Sequence, residues 1–344
     1  MTTISTTSAA LLLSILLASC ATHEHHDAAT HSHAAVHPIL AGGLFKGVGI
    51  TVAPELVACV LSGGTQSTCI SVTVKAGADI GHAAGPWCPV HVSDGPDKAG
   101  IWLEGGKVFD ADGQFIKNLA TFYKDDQWQM FNPVTGQVKV TDSKEACLAA
   151  ARPDVDPKYK NYCVQCLPSY VDAATESTYL IPAEPKLLEG TQRFDPRSGM
   201  GLAFNGVRFD APAPVDAILG AHTVAPFDDC GGHVNPHVGY HYHAVTGCAP
   251  AASAVSASGH APWIGYAMDG FKLFGRLNAD GSKPGDLDTC GGHQVAGVGY
   301  HYHVNEPGKN QILGCFRAEQ GCVLSEGKKT CDVGRRPPPP PKQG

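Results

Sequence analysis

A phrase that occurs twice constrains the fold of this chain more than any other sequence feature. The copies occupy residues 228–248 and 288–315. Each contains Cys-Gly-Gly-His, six further residues and Tyr-His-Tyr-His, and each ends on Gly-Cys. The interval from Cys230 to Cys290 equals the interval from Tyr240 to Tyr300. Chance does not produce this agreement, so we infer an internal duplication of about 60 residues.

A hairpin is predicted ahead of each copy. Residues 201–209 (Gly-Leu-Ala-Phe-Asn-Gly-Val-Arg-Phe) match residues 265–273 (Gly-Tyr-Ala-Met-Asp-Gly-Phe-Lys-Leu) in type and order. Asn-Gly and Asp-Gly between apolar runs are strong hairpin signals, because these residues tolerate the positive φ of a tight turn. Each unit is therefore predicted as a hairpin, a glycine-rich loop, a Tyr-His-Tyr-His strand and a closing cysteine. Two such units predict a pseudo-two-fold domain with its site near the axis.

These residues resemble the YHYH domain family, which is named for the tetrapeptide and has a Gly-Gly-His segment before it. The resemblance covers about residues 200–315 and, more weakly, the preceding segment. It implies a fold neighbourhood and a set of key positions, and it leaves the reaction open.

The histidines of the repeat have the spacing of metal ligands. Residues two apart in a strand face the same side, so His241 and His243 share one face, and Tyr240 and Tyr242 share the other. A His-X-His pair can place two imidazoles on one metal, and the histidine after Gly-Gly can bend back as a third ligand. The predicted ligands are His233, His241 and His243 in the first unit and His293, His301 and His303 in the second.

Such clusters suit a transition metal, with copper or zinc favoured over iron. Asp228, Asp269 and Asp288 are predicted to accept hydrogen bonds from the distal ring nitrogens of the histidines. The alternative is a structural role, in which the imidazoles bond backbone groups and the rings pack in a small disulfide-stapled domain.

Three classes of function remain open. The first is a metal-binding envelope lipoprotein. The second is an enzyme, either metal-dependent or using histidines with Asp269 as acid and base on a carbohydrate or ester. The third is a structural or adhesive surface module without catalysis. No Gly-X-Ser-X-Gly elbow is present, so no catalytic residue is assigned.

Residues 1–20 predict export. An apolar stretch too short for a permanent membrane helix reads as a signal peptide, and the closing Leu-Ala-Ser-Cys resembles a bacterial lipobox. Cys20 is then the lipidated residue, and the protein is expected in the bacterial cell envelope, anchored to a membrane. No Lys or Arg precedes the apolar core, so ordinary cleavage with release is the alternative. The net charge of −7 and the lack of a large basic cluster argue against nucleic-acid binding.

Thirteen cysteines in an exported chain predict disulfides. If Cys20 is lipidated it cannot form one, and an even number of twelve cysteines is left to pair. Cys163 and Cys166 have the spacing of a redox motif, but no thioredoxin-like βαβ pattern surrounds them, so structural disulfides are favoured. Cys88, Cys147, Cys163 and Cys166 cannot be paired from the sequence. Local spacing predicts four bridges: Cys59–Cys69, Cys230–Cys248, Cys290–Cys315 and Cys322–Cys331.

Abundant glycine and proline, sparse charge and little helical periodicity predict a mainly β, disulfide-rich and loop-rich fold. Residues 143–151 are the one segment predicted as a helix. The expected organisation is a signal peptide (1–20), a flexible histidine-rich tract (21–38), a β-rich region (39–185), the duplicated domain (186–318) and a cysteine-containing segment with a proline-rich tail (319–344). The tract is either an auxiliary metal collector or a solvated linker, and its histidines are His23, His25, His26, His31, His33 and His37.

Overall fold

Strands dominate the secondary structure of this chain, as the sequence predicts. The computed structural model describes residues 37–41, 44–45, 49–152, 154–252, 259–324 and 331. The strands are β1 Ile50–Val60, β2 Gln66–Lys75, β3 Ile101–Glu104, β4 Lys107–Asp110, β5 Glu176–Pro182, β6 Gly201–Ala203, β7 Arg208–Phe209, β8 Gly232–Asn235, β9 Gly239–Tyr242, β10 Trp263–Ala267, β11 Lys272–Phe274, β12 Gly292–Val295, β13 Gly299–His303 and β14 Cys322–Leu324. The helices are α1 Gly113–Tyr123, α2 Lys144–Ala150 and α3 Val215–Gly220, with 3-10 turns at Pro96–Lys98, Pro157–Tyr159, Pro168–Tyr170 and Pro307–Lys309.

An eight-stranded sheet carries both copies of the repeated phrase. Its order is β12-β13-β11-β10-β6-β7-β9-β8. Strands β6 to β9 form one half and β10 to β13 the other, and the two halves have the same connectivity. In each half, the second strand of a hairpin pairs in parallel with the Tyr-His-Tyr-His strand. That strand pairs in turn with an antiparallel edge strand, which precedes it in the sequence. The hairpins predicted over residues 201–209 and 265–273 are confirmed.

The two halves meet where β6 pairs with β10. Tyr266 lies opposite Leu202, and the pairs on either side are Gly265 with Ala203 and Ala267 with Gly201. This antiparallel register places equivalent residues of the two hairpins symmetrically about one point. The Tyr-His-Tyr-His strands β9 and β13 consequently lie near opposite edges of the sheet, so the two histidine sets are far apart along its strand order.

A second sheet has the order β1-β2-β5-β14. Its buried residues Ile70 and Ile181 belong to the same apolar cluster as Leu202, Trp263 and other residues of the eight-stranded sheet. Strand β14 follows the duplicated region and pairs with β5, which precedes it. The sequence boundaries at residues 185/186 and 318/319 therefore lie between two strands that pair in one sheet. The described residues from His37 onward form one compact unit.

The predicted helix over residues 143–151 is confirmed as α2, which Ser143 caps by accepting a hydrogen bond from the Ala146 amide. Helix α1 was missed by the sequence analysis. It begins after Asp112, whose side chain accepts from the Phe115 amide, and it buries Ile116 and Leu119 against Trp102 and its neighbours. Among the described residues, no helix has the length and apolar character needed to cross a membrane.

The four local disulfides predicted from spacing are confirmed, and the structure adds Cys88–Cys163 and Cys147–Cys166. Cys163 and Cys166 thus bond to different partners and are no redox pair. All twelve cysteines in the described part of the chain are bridged, whereas Cys20 lies outside it.

Loop length predicts which bridge matters most for stability. Cys88–Cys163 spans 75 residues and Cys59–Cys69 spans 10. In the chain-entropy view, the longer loop stabilises by about 4.5 kcal/mol and the shorter by about 2.7 kcal/mol. The double variant Cys88→Ser/Cys163→Ser should therefore lose more unfolding free energy in urea than Cys59→Ser/Cys69→Ser. Equal losses for the two variants would contradict the loop-length argument.

Candidate metal centres

Four imidazoles converge in the second half of the eight-stranded sheet. His293 lies on β12, His301 and His303 lie on β13, and His260 lies in the segment before β10. We call these four residues the closed cluster. Their Nε2 atoms are separated by 2.9 Å (His293–His301), 3.0 Å (His260–His301), 3.2 Å (His293–His303) and 3.3 Å (His301–His303).

The distal Nδ1 atoms of the closed cluster define its tautomers. Every Nδ1 has an oxygen acceptor, and three of the four acceptors are backbone carbonyls, which cannot donate. Each ring is therefore protonated on Nδ1 and directs an Nε2 lone pair inward. The pairs are His301 with Gly299 O (3.0 Å), His303 with Gly275 O (2.8 Å), His260 with Ala261 O (3.2 Å) and His293 with Asp286 Oδ1 (2.7 Å).

Four converging lone pairs, with four of their separations at 2.9–3.3 Å, repel one another unless a cation lies among them. Tetrahedral coordination at a metal–nitrogen distance of about 2.0–2.1 Å gives nitrogen–nitrogen separations of about 3.3–3.4 Å. The observed separations of 2.9–3.3 Å are close to these values. The four ligand atoms can therefore hold one transition-metal ion with all four positions filled by protein.

Burial favours the neutral form of His301 and His303. Together with the neighbouring imidazoles, it lowers the pKa of both residues to about 4. Phe274 contributes to this burial, since its ring centroid lies 4.7 Å from those of His260 and His301. A neutral ring is the form that donates a lone pair to a metal.

Three imidazoles meet in the first half of the sheet. His233 lies on β8, His241 on β9, and His243 directly follows β9. We call these three residues the open cluster. Their ring centroids are 4.8–4.9 Å apart, and one ligand atom from each lies within 4.8 Å of the others. Burial lowers the pKa of all three, that of His233 and His243 to well below the usual value.

The open cluster lines a cavity of about 590 Å³. His241 Nδ1 donates to Gly239 O over 3.0 Å, as His301 does to Gly299, so its Nε2 is also unprotonated. The nearest carboxylate oxygen to this Nε2 is Asp210 Oδ2, at 3.9 Å. His243 Nδ1 is buried with no hydrogen bond of ordinary geometry. This set therefore provides three ligand atoms and borders open space.

The structure thus brings the six predicted histidines together as two sets of three. Sequence analysis missed the seventh, His260, which lies well before His293 and outside the repeated phrase. No spacing rule marks it, because the matching position in the first unit is Pro196. Of the predicted auxiliary tract, only His37 is described. It accepts a hydrogen bond from the Ile39 amide and lies 5.7 Å from the Tyr266 ring, and the other tract histidines lie outside the described residues.

A comparison with family models agrees with this arrangement. The model described as YHYH protein matches residues 178–286. The chain carries a YHYH domain. The match includes the first Cys-Gly-Gly-His and Tyr-His-Tyr-His segments and the hairpin of the second unit. No curated protein and no solved structure matches the chain.

The Gly-Gly pairs of the two units position the histidines that follow them. Gly231 and Gly291 have φ of +78° and +88°, a conformation that favours glycine. At Gly232 and Gly292 a Cβ would overlap the hydroxyl groups of Tyr240 and Tyr300, respectively. Gly-Gly therefore turns the chain tightly, and the next residue, a histidine, faces the histidine strand across the β8–β9 or β12–β13 pair.

The predicted role of the three aspartates is wrong. Asp228, Asp269 and Asp288 bond tyrosine hydroxyls on the opposite face of the strands, and the distal ring nitrogens bond backbone carbonyls and Asp286 instead. Asp228 and Asp288 also accept amide hydrogen bonds from the Gly-Gly turns, which orients them away from the imidazoles. The carboxylate–hydroxyl pairs are Asp228–Tyr240 (2.9 Å), Asp288–Tyr300 (2.8 Å) and Asp269–Tyr302 (2.6 Å).

A further group, His82 with Cys230 and Cys248, is no metal site. The two cysteines are joined in a disulfide and present no thiolate. His82 Nε2 lies 2.9 Å from the Tyr242 hydroxyl, so it is a hydrogen-bonded histidine of the tyrosine face.

Asp269 gives the YHYH domain a predictable pH dependence. Burial raises the pKa of Asp269 to about 6, against 3.8 for an exposed aspartate. Between these values the folded chain binds more protons than the unfolded chain, so the unfolding free energy falls as pH rises through this window, by about 3 kcal/mol. Asp269→Asn should remove this part of the slope in urea titrations from pH 4 to 7. Asparagine suits the site because Asn205 bonds Tyr242 at the equivalent place. An unchanged slope in the variant would contradict this assignment.

Proposed function

We propose that this protein is an exported, lipid-anchored metal-binding protein of the bacterial cell envelope, which holds copper or zinc at its two histidine clusters. The convergence of four Nε2 lone pairs in the closed cluster carries the proposal. A purely structural set of histidines would use both ring nitrogens in hydrogen bonds to the protein. Here only the outer nitrogens have such partners, and the inner nitrogens face one another.

The donor set favours these metals. Imidazole nitrogens bind zinc and copper well, whereas magnesium, calcium and manganese prefer carboxylate, carbonyl and water oxygens. No oxygen belongs to the group of close ligand atoms in either cluster of the described chain. A closed tetrahedral site suits zinc in particular, and copper remains the second candidate.

Metal analysis of a chain without five of the six tract histidines tests the proposal. In this tract-silenced chain, His23, His25, His26, His31 and His33 are changed to asparagine, and His37 is kept because it accepts a hydrogen bond from the Ile39 amide. We expect it to retain close to two equivalents of zinc or copper after dialysis, measured by elemental analysis. A content near zero would mean that the clusters hold no metal and that the proposed function is wrong.

Export and anchoring rest on the lipobox-like end of residues 1–20. Because the thiol of Cys20 is the group there that would carry the lipid, Cys20→Ser should abolish membrane association. The check is fractionation of cells that produce the natural chain or the variant. A natural chain found in the soluble periplasm or the medium would contradict the anchoring, though not the metal sites.

A further inference from the structure

The two halves of the eight-stranded sheet have equivalent strands but differ at two positions beside the histidines. Phe274, at the end of β11, covers the closed cluster, and the equivalent residue after β7 is Asp210. His260 fills the fourth position of the closed cluster, and Pro196 is its equivalent in the first half. One half therefore gains a fourth ligand and an apolar cover, while the other gains a carboxylate and a cavity.

Four protein ligands are typical of a structural metal site, and three with an open position are typical of a catalytic one. We propose that the open cluster is a catalytic metal centre, which activates water to hydrolyse a neutral, mostly apolar carboxylic ester held in the adjoining cavity. This inference rests on the proposed metal binding and adds a reaction and a substrate class to it.

Asp210 is positioned to accept a proton from the attacking water and to donate it to the leaving alcohol. Its Oδ1 accepts from Arg208 Nη2 and from the Ala211 amide, both over 2.8 Å. Arg208 also donates to the carbonyls of Arg197 and Pro196, so it holds the carboxylate in a fixed orientation. Asp210 Oδ2 faces the cavity 3.9 Å from His241 Nε2, within reach of a water bound beside that ligand.

The cavity selects the substrate class. Its volume of about 590 Å³ fits a small organic molecule. Its walls are largely apolar and include Trp87, Ile218 and Val234. Among the described lining residues, Arg152 is the one permanently cationic side chain, and it already pairs with Asp154. No unpaired cationic side chain among these lining residues would add to the charge of a bound metal in holding an anionic group such as a phosphate ester, and a neutral ester needs none.

The reaction needs only water. A metal held by His233, His241 and His243 would lower the pKa of a water molecule beside it, so that Asp210 Oδ2 could take one proton from this water while its oxygen forms a bond to the ester carbonyl carbon. The bond from that carbon to the alcohol oxygen then breaks, and the proton passes from Asp210 to the leaving alkoxide. One ester and one water give one acid and one alcohol, with no change of oxidation state. An ester makes the smaller demand on Asp210, the one carboxylate among the described lining residues, because an alkoxide is a better leaving group than the anion of an amine.

Cobalt substitution tests whether an added small ligand can reach a metal in the open cluster but not one in the closed cluster. In the tract-silenced chain loaded with Co²⁺, acetohydroxamic acid should change the visible spectrum of the variant His301→Ala/His303→Ala, which keeps only the open cluster. It should leave the spectrum of His241→Ala/His243→Ala unchanged, because the closed cluster has no free position. His260→Ala added to that second variant should open the closed cluster and restore the response. Metal present in the open cluster with an unresponsive spectrum would overturn the inference and leave metal binding intact.

Ester hydrolysis tests the chemistry. The zinc-loaded, tract-silenced chain should hydrolyse p-nitrophenyl butyrate faster than its metal-free form, and His241→Ala/His243→Ala should abolish the difference. Asp210→Asn should lower kcat about 100-fold, the usual size of an acid–base contribution, with unchanged metal content. Asp280→Asn, at an exposed aspartate outside both clusters and outside the cavity lining, should have no such effect. Full activity in Asp210→Asn, or no metal-dependent hydrolysis, would overturn the inference, and absence of metal from both clusters would instead overturn the proposed function.

Discussion

Changing His301 and His303 together to alanine should remove one equivalent of metal from the tract-silenced chain. These two imidazoles are fully buried and provide two of the four converging nitrogens of the closed cluster. The two remaining rings cannot complete a tetrahedral site, so the affinity of this cluster should fall by several orders of magnitude. Elemental analysis after dialysis should read close to one metal per chain in place of two.

Two further variants separate loss of ligands from loss of fold. His260→Ala removes a partly exposed ligand outside the sheet, so it should weaken metal binding with little effect on packing. Tyr302→Phe lies between the two ligands but on the other face, where its hydroxyl donates to Asp269. It should cost about 1–3 kcal/mol of unfolding free energy and leave the metal content unchanged. A closed cluster that keeps its metal without His301 and His303 would contradict our assignment of the ligands.

Removal of the metal should lower the free energy of unfolding of the chain. The closed cluster joins β12, β13 and the segment before β10, and the unfolded chain has no such preformed site. A ligand bound only by the folded state stabilises it by about 4 kcal/mol when its free concentration is about 1,000 times its dissociation constant. Without metal the four inner lone pairs also repel one another, which adds to the loss.

Urea unfolding with and without a chelator measures this effect, with the disulfides kept oxidised. We expect a clearly lower midpoint in the metal-free chain and recovery on addition of zinc. In His301→Ala/His303→Ala the shift caused by the chelator should shrink to the share contributed by the open cluster. Superimposable curves for the metal-loaded and metal-free natural chain would show that the clusters contribute nothing to stability through metal.

The sequence by itself determined the features that depend on local geometry and on the repeat. Alternation along a strand placed His241 and His243 on one face and the tyrosines on the other, and Asn-Gly and Asp-Gly positioned the hairpins. Short spacing was enough to pair cysteines such as Cys230 and Cys248, because a short loop brings its own ends together. The sequence likewise indicated a mainly β fold and a YHYH domain.

Only the tertiary structure decided the contacts between distant segments. His260 reaches the closed cluster because the chain before β10 passes close to β13, and no local period encodes this approach. Asp228 and Asp288 lie on the tyrosine face because the amides of the Gly-Gly turns orient them there. The difference between the equivalent residues Asp210 and Phe274 could be interpreted only from the strand order, which places both residues beside histidines. The periodicity of a strand is fixed by covalent geometry. A set of metal ligands, by contrast, is completed by side chains from separate strands and loops. Whether these side chains come together depends on the packing of the whole sheet.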